Sequence, residues 1–270
     1  MPDHASDLLN PRTPWILVFA HPGHELRAHH VMEMVCPAVF VLTDGSGSSD
    51  EPRLDDSLAL LAQSGARPAA TFGALTDRAA YAALMAADAR PFVAIVDVLA
   101  DTLITESVQA VLIDAAEGYN PVHDVCHWIG RAATTRARAF GARIDLFEVD
   151  LVSHPDSSGD GLRVVLDDQA FARKLDAISR YDAIKGEADA AFERYGQDAF
   201  RVEFLRHVLD GPAPPPSWVP YYEKVGEERV RAGTYTSVLR YGSHVKPVID
   251  TILESARAAR DATDLRPLHE

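Results

Sequence analysis

The stretch Trp15-Ile16-Leu17-Val18-Phe19-Ala20-His21-Pro22-Gly23-His24-Glu25-Leu26-Arg27 sets the fold of this chain. From Trp15 to Ala20 it carries no charge, the pattern of a strand buried on both faces. The run ends abruptly in two histidines and a carboxylate, and a helical pattern begins. With a helix starting near Pro22, the side chains of His21, His24 and Glu25 lie close together at its first turn. Imidazole nitrogens and a carboxylate converging there are the donors a divalent transition metal needs. The place also fits, because parallel α/β sheets bind ligands outside the carboxyl ends of their strands. Taken alone, however, His-Pro-Gly is good turn chemistry, and His24 can simply cap the helix.

Outward from this stretch, residues 26–35 read as a helix with Val31, Met34 and Val35 on its apolar face, ended by Cys36-Pro37. Residues 38–42 are the next strand and Thr43-Asp44-Gly45 its turn. Strand, helix, strand is a βαβ unit, which requires a parallel pair. The Gly-, Ser- and acid-rich segment 45–52 is a loop beside the presumed site. Helices follow over 55–66, over 77–88 with Thr76 as N-cap, and from Pro91, where Phe92, Ile95, Val96, Leu99 and Leu103 recur at helical spacing. A short apolar strand at 110–114 leads into Ala115-Ala116-Glu117-Gly118-Tyr119-Asn120-Pro121-Val122-His123-Asp124 and a helix ending near Phe140. Asn120, His123, Asp124, His127 and Arg131 share one side of that helix. Residues 143–151 form a further strand.

The expectation is an α/β fold: a mostly parallel sheet flanked by helices, with a mainly helical C-terminal extension. Residues 1–155 form the metal-binding core and 156–270 pack on the same domain. Within the latter, 164–166 reads as a short strand and 168–209 as mostly helix, broken at Gly186 or Gly196. Residues 211–216 are too rich in proline to be helical, and a final helix starts at His244.

Composition narrows the function. The chain has 270 residues, enough for one large domain, and 40 acidic against 26 basic side chains, a formal charge of −14. That surplus argues against nucleic acid or an anionic membrane as partner. No apolar run is long enough to span a bilayer, and the first fourteen residues lack the pattern of a signal peptide. With only Cys36 and Cys126, a disulfide framework is not expected and the cytoplasm is the expected location. The expected partner is a small molecule, with homo-oligomerisation left open. A GxGxxG loop, a zincin His-Glu-x-x-His, a Gly-x-Ser-x-Gly elbow and a Walker loop are all absent.

His21, His24 and His123 are the candidate metal ligands. Both histidine-bearing junctions follow apolar strands, so a parallel sheet brings them together. Three neutral imidazoles plus a water make an open metal site. The alternative must place histidines by accident at two matching junctions. His127, one turn after His123, reads as a fourth ligand, a general acid, a support for a ligand, or a half-buried helix histidine. Glu25 reads as a ligand, an orienting group or one half of a buried ion pair with an arginine. Asp124 is a candidate base, although an acid in a first helical turn is also explained by the dipole. Asp44 and Arg53 can hold substrate, and can equally be a turn aspartate and a surface arginine. His29 and His30 point away from the site and are expected at the surface.

Together, Ala20-His21-Pro22-Gly23-His24-Glu25, Thr43-Asp44-Gly45, Arg53 and Glu117-Gly118-Tyr119-Asn120-Pro121-Val122-His123 resemble the PIG-L (LmbE-like) deacetylases. The motifs of that family are Ala-His-Pro-Asp-Asp-Glu, Thr-Asp-Gly and His-Pro-Asp-His, and order and spacing match over residues 14–150. The C-terminal third is similar only loosely, through Val238-Leu239-Arg240-Tyr241 and His244-Val245. The resemblance implies a Rossmann-like sheet holding zinc that hydrolyses N-acetyl groups, often from N-acetylglucosamine conjugates. It implies His21 as first ligand, His24 in place of an aspartate ligand, His123 as last ligand and Arg53 on substrate. The chain departs from the pattern at Gly23, where the family has its general-base aspartate. Asn120 and Val122 likewise replace a histidine and an aspartate.

The expected function is therefore a metal-dependent hydrolase of a C–N bond in an amino sugar or other N-acyl compound. Zinc is the expected metal and iron the alternative. Asp124, His127 and Glu25 are the candidates for the missing base, and Asp44, Arg53 and Asn120 those for holding substrate. Two rivals use the same scaffold: an iron enzyme doing non-hydrolytic redox chemistry, and a non-catalytic relative that binds a metal, sugar or protein.

Overall fold

In the computed structural model, which describes residues 8–47 and 51–264, the opening stretch is strand β1 (Trp15–Phe19), buried along its whole length. It lies between β2 (Ala38–Thr43) and β4 (Ala110–Asp114), both parallel to it, with Val18 opposite Phe40 on one side and Ile113 on the other. Strand β3 (Arg67–Leu75) runs parallel to β2, and β5 (Asp145–Val149) parallel to β4. Then β7 (Val202–His207) and β6 (Gly161–Val165) add antiparallel. The seven-stranded order is β3-β2-β1-β4-β5-β7-β6. Chain direction across the sheet reverses between β1 and β4, where such sheets open a crevice at their carboxyl ends.

Alternation along the central strands divides the core in two. Ile16, Val18, Phe40 and Ile113 enter one cluster; Leu17, Phe19, Val39 and Leu112 enter the other. Helices α1 (His29–Val35), α2 (Leu54–Ser64) and α6 (Asp168–Arg180) cover the second cluster. Helices α3 (Asp77–Met85), α4 (Arg90–Thr105), α5 (Pro121–Ala139) and α9 (Lys246–Asp264) cover the first. Between them in sequence come α7 (Lys185–Tyr195) and α8 (Tyr221–Arg231). Local signals place the helix starts. Thr76 caps α3 through the Ala79 N–H, and Asn120 caps α5 through the Val122 N–H, with Pro121 in the first turn.

The α/β architecture is as expected; several elements differ. The helix expected over 26–35 opens as a tight 3₁₀ turn, His24–Ala28, and becomes α-helical only at His29. No strand was expected at β3, a partly exposed edge strand that tolerates Pro68 and small residues. Residues 168–209 are not mostly helix to their end, because Val202–His207 is strand β7, paired on both sides, with Leu205 opposite Leu162 and His207 opposite Phe147. Residues 156–270 thus extend the core sheet as well as adding helices to it. His29 is buried, not at the surface; burial pushes its pKa down, against the pull of Glu203. Of the loop expected over 45–52, residues 48–50 lie outside the described residues, as do residues 1–7 of the N-terminal stretch. Among the described residues, no helix is long and apolar enough to cross a membrane.

Candidate metal centre

The three candidate ligands come together at the carboxyl edge of β1 and β4. Ring centroids are 5.4 Å apart for His21 and His24, 5.0 Å for His21 and His123, and 4.5 Å for His24 and His123. His21 follows β1, His24 opens the 3₁₀ turn, and His123 sits in the first turn of α5, three residues past the Asn120 cap.

What stands behind each ring fixes its chemistry. Thr43, the last residue of β2, donates its hydroxyl hydrogen to the Ala20 carbonyl at 3.0 Å. Its oxygen is therefore an acceptor for the Nδ1–H of His21 at 2.7 Å, and Asp77 Oδ1 lies 3.2 Å from the same nitrogen. That tautomer leaves Nε2 of His21 with a lone pair, and this atom is buried without a partner. His24 is held in the same way. Its Nδ1 donates to Asp114 Oδ2 at 2.9 Å, and that oxygen also takes the Ala20 N–H at 2.7 Å. His123 is kept neutral: burial, then the neighbouring His24 and His21, push its pKa well below the ordinary value. Burial alone would raise the Asp77 carboxyl, but His21, Thr43 and the Gly47 N–H outweigh it and hold it down at about 2.

These donors suit a metal of the zinc type. Ligating histidines characteristically give their second N–H to a carboxylate or other acceptor, as His21 and His24 do here. Among the described residues no three side chains already close around one point as a finished coordination shell. The three rings are nonetheless neighbours, and Nε2 of His21 is buried with its lone pair unpartnered.

No family model and no curated protein sequence matches the chain. By structure it is similar to the A40926 pseudoaglycone deacetylase Dbv21, with 18% identity over 69% of this chain and 88% of that one, and a TM-score of 0.45. It is also similar to a deacetylase triple mutant from the teicoplanin biosynthetic pathway, at 16% identity over 67% and 89% and a TM-score of 0.44. A third is the conserved protein TT1542 from Thermus thermophilus, at 20% identity over 77% and 97% and a TM-score of 0.43. The fold stands on its own strand order, and the site on its own atoms.

The remaining candidates fall into two groups around the rings. Glu25 and Arg53 face residues 181–184. Glu25 is fully buried, and among the described residues no arginine pairs with it. Its oxygens instead take the Ser57 hydroxyl and, at 2.8 Å, the Gly23 N–H, with Tyr181 OH at 3.5 Å. Burial raises its pKa. Arg53 donates to the Ala183 carbonyl at 3.2 Å. Asp44 builds the turn after β2, its Oδ1 taking the N–H of Ser46 and of Asp77, and so it positions the carboxylate behind His21.

On the other side, Asp124 accepts the Gly118 N–H at 3.0 Å through Oδ1, while Oδ2 is buried without a partner. Burial, reinforced by Glu117, pushes its pKa up to about 7 against the Gly118 hydrogen bond. Asn120 accepts from the Tyr81 hydroxyl at 3.4 Å in addition to capping α5. His127 donates from Nδ1 to the Asp114 carbonyl at 3.1 Å, with Glu148 Oε2 at 3.3 Å, and burial takes its pKa down to about 3.

Asp77 and Asp114, the carboxylates against His21 and His24, were not singled out in the sequence. Asp114 had a visible signal, a carboxylate closing the apolar run Ala110-Val111-Leu112-Ile113 at a strand's carboxyl end. Asp77 looked like any first-turn acid after a threonine cap.

Gly23 has a backbone reason as well as a missing side chain. Its φ is +102°, and a Cβ there would lie 2.8 Å from Cγ2 of Ile184. Gly23→Asp is therefore expected to destabilise the fold by about 2 kcal/mol, from backbone strain and overpacking. Equilibrium urea unfolding measures this; an aspartate variant as stable as the parent would show that the turn and Ile184 yield freely.

Proposed function

We propose that this protein is a metal-dependent hydrolase of a C–N bond in a small N-acyl compound, with zinc held by His21, His24 and His123. The observation that carries the reading is the set of acceptors behind the rings: Thr43 and Asp77 behind His21, Asp114 behind His24. They present Nε2 as the free donor on both. The resemblance of the junction motifs to the PIG-L deacetylases supports hydrolysis over other metal chemistry.

Zinc in such a site supplies an acidified water and a polarised carbonyl. The chain's own residues hold the tautomers, keep His123 neutral and accept a proton. Gly23 has no side chain to do the last, Glu25 has both oxygens engaged, and burial holds His127 at a pKa of about 3, too weak a base near neutrality. Asp124 alone among the candidates keeps a free oxygen, with a pKa of about 7 that suits proton transfer near neutrality.

Elemental analysis of purified protein, followed by assays on N-acyl amines and N-acyl amino sugars, tests the reading. We expect about one zinc per chain, with hydrolysis lost on chelation and restored by zinc. Iron in its place, with oxygen consumed, would move the protein to the redox alternative. Folded protein that takes up no metal would overturn both. Asp124→Asn is expected to lower kcat about a hundredfold with zinc content unchanged; an undiminished kcat would place the base elsewhere.

A further inference from the structure

We propose that Tyr119 and Tyr221 form a platform at the rim of the site for an aromatic ring carried on the amine side of the substrate. The substrate class is then N-acyl aralkylamines and arylamines, an assignment that rests on the hydrolase reading for its chemistry but not for the platform itself.

The two rings stack nearly parallel, 8° between planes and 5.3 Å between centroids, and about half of each side chain is exposed, 48% for Tyr119 and 54% for Tyr221. Such a pair is a rigid, flat surface, and a third ring adds to it by the same offset stacking. Its position is built from close contacts. Gly118 adopts φ +66°, and a Cβ there would fall 2.7 Å from the Trp218 ring and 3.1 Å from Pro220. The Tyr222 N–H donates to the Gly118 carbonyl at 3.2 Å, and Trp218 meets Tyr241 edge to face at 4.8 Å. The segment from Trp218 to Tyr222 is thereby seated on the loop between β4 and α5, and Tyr221 is delivered beside Tyr119.

The same loop leads directly to the metal candidates. Tyr119 precedes Asn120, the cap of α5, and His123 follows in the first turn. Asn120 receives the hydroxyl of Tyr81, which lies one helical turn after Asp77, the carboxylate behind His21. Tyr81, bonded to Asn120, and Val219, next to Trp218 in the chain, are exposed as well. They add apolar surface that suits a ring face better than a ligand rich in hydroxyls.

A second observation points the same way. Two buried polar atoms near the platform have no partner, Oδ2 of Asp124 and the hydroxyl of Tyr222. Both residues bond the backbone of Gly118, Asp124 taking its N–H and Tyr222 giving its own N–H to the carbonyl, so both border one region. An amide nitrogen joined to a stacked ring brings a polar group to that region. Hydrolysis there breaks the C–N bond, water giving its OH to the acyl carbon and its proton to the nitrogen.

The test uses equilibrium binding to metal-free protein, so that turnover is not required, with N-acetylbenzylamine, N-acetylpropylamine and N-acetylglucosamine as probes. N-acetylbenzylamine is expected to bind best, and about tenfold more weakly to Tyr221→Ala. Tyr221→Phe, which keeps the ring face, is expected to bind like the parent, and N-acetylpropylamine to be indifferent to either change. Both rings are half exposed, so the variants keep the fold. Equal binding of N-acetylbenzylamine to Tyr221→Ala, or preference for N-acetylglucosamine, would overturn the proposal. The expected binding pattern without hydrolysis by zinc-loaded protein would uphold the platform and refute the hydrolase reading instead.

Discussion

His123→Ala is expected to leave a folded protein with neither bound zinc nor hydrolytic activity. His123 is the ring nearest His24 and within 5.0 Å of His21, it is buried, and its depressed pKa keeps its lone pair available at any physiological pH. Open zinc sites use three protein ligands, and two imidazoles do not hold the ion against solvent. The substitution leaves the Asn120 cap and Pro121 in place, so α5 still starts where it does. Metal content by elemental analysis should fall from about one atom per chain to near zero, with far-ultraviolet circular dichroism unchanged. A variant retaining full metal would remove His123 from the site, and with it the argument that the two junctions serve one function.

That argument was available from the sequence because its signals are local. A charge-free strand, a proline in the first turn and an asparagine cap each act over a few residues, and β1, β4 and α5 appear where those signals put them. The meeting of His21 with His123 needed only one further step, the parallel pairing of β1 with β4. What stayed hidden depends on distant partners. Asp77 and Asp114 matter because of the nitrogens opposite them: Asp77 looks like any first-turn acid, and the strand-end position of Asp114 does not say which ring it meets. Glu25 was expected against an arginine, but the 3₁₀ turn aims it at Ser57 and Tyr181 from later in the chain. Strand β7 was lost in a helical stretch because Val202-Glu203-Phe204-Leu205-Arg206-His207 interleaves charge with apolar residues in no clean period. Its strand state is imposed by β5 and β6.

The buried Glu203 at the heart of β7 shows how strongly that imposition is anchored, and Lys174→Met is expected to cost about 3–5 kcal/mol of folding stability. Glu203 accepts the N–H groups of His30 and Val31 at the start of α1, each at 2.9 Å, and the ammonium of Lys174 on α6 at 2.9 Å. Both charged groups are essentially without solvent. Methionine fills much the same space as lysine, so the loss is not one of packing; it is the cost of a carboxylate left in the interior without its counter-charge. The helix N-terminus offsets part of that cost through its two N–H groups and its dipole. Lys174→Met combined with Glu203→Gln should therefore be more stable than Lys174→Met alone, because the amide keeps an acceptor for α1 while carrying no charge. Urea unfolding of the two single variants and the double variant measures the difference. A single Lys174→Met change costing under about 1 kcal/mol would mean that water reaches Glu203, and that β7 is held by its strand neighbours without this pair.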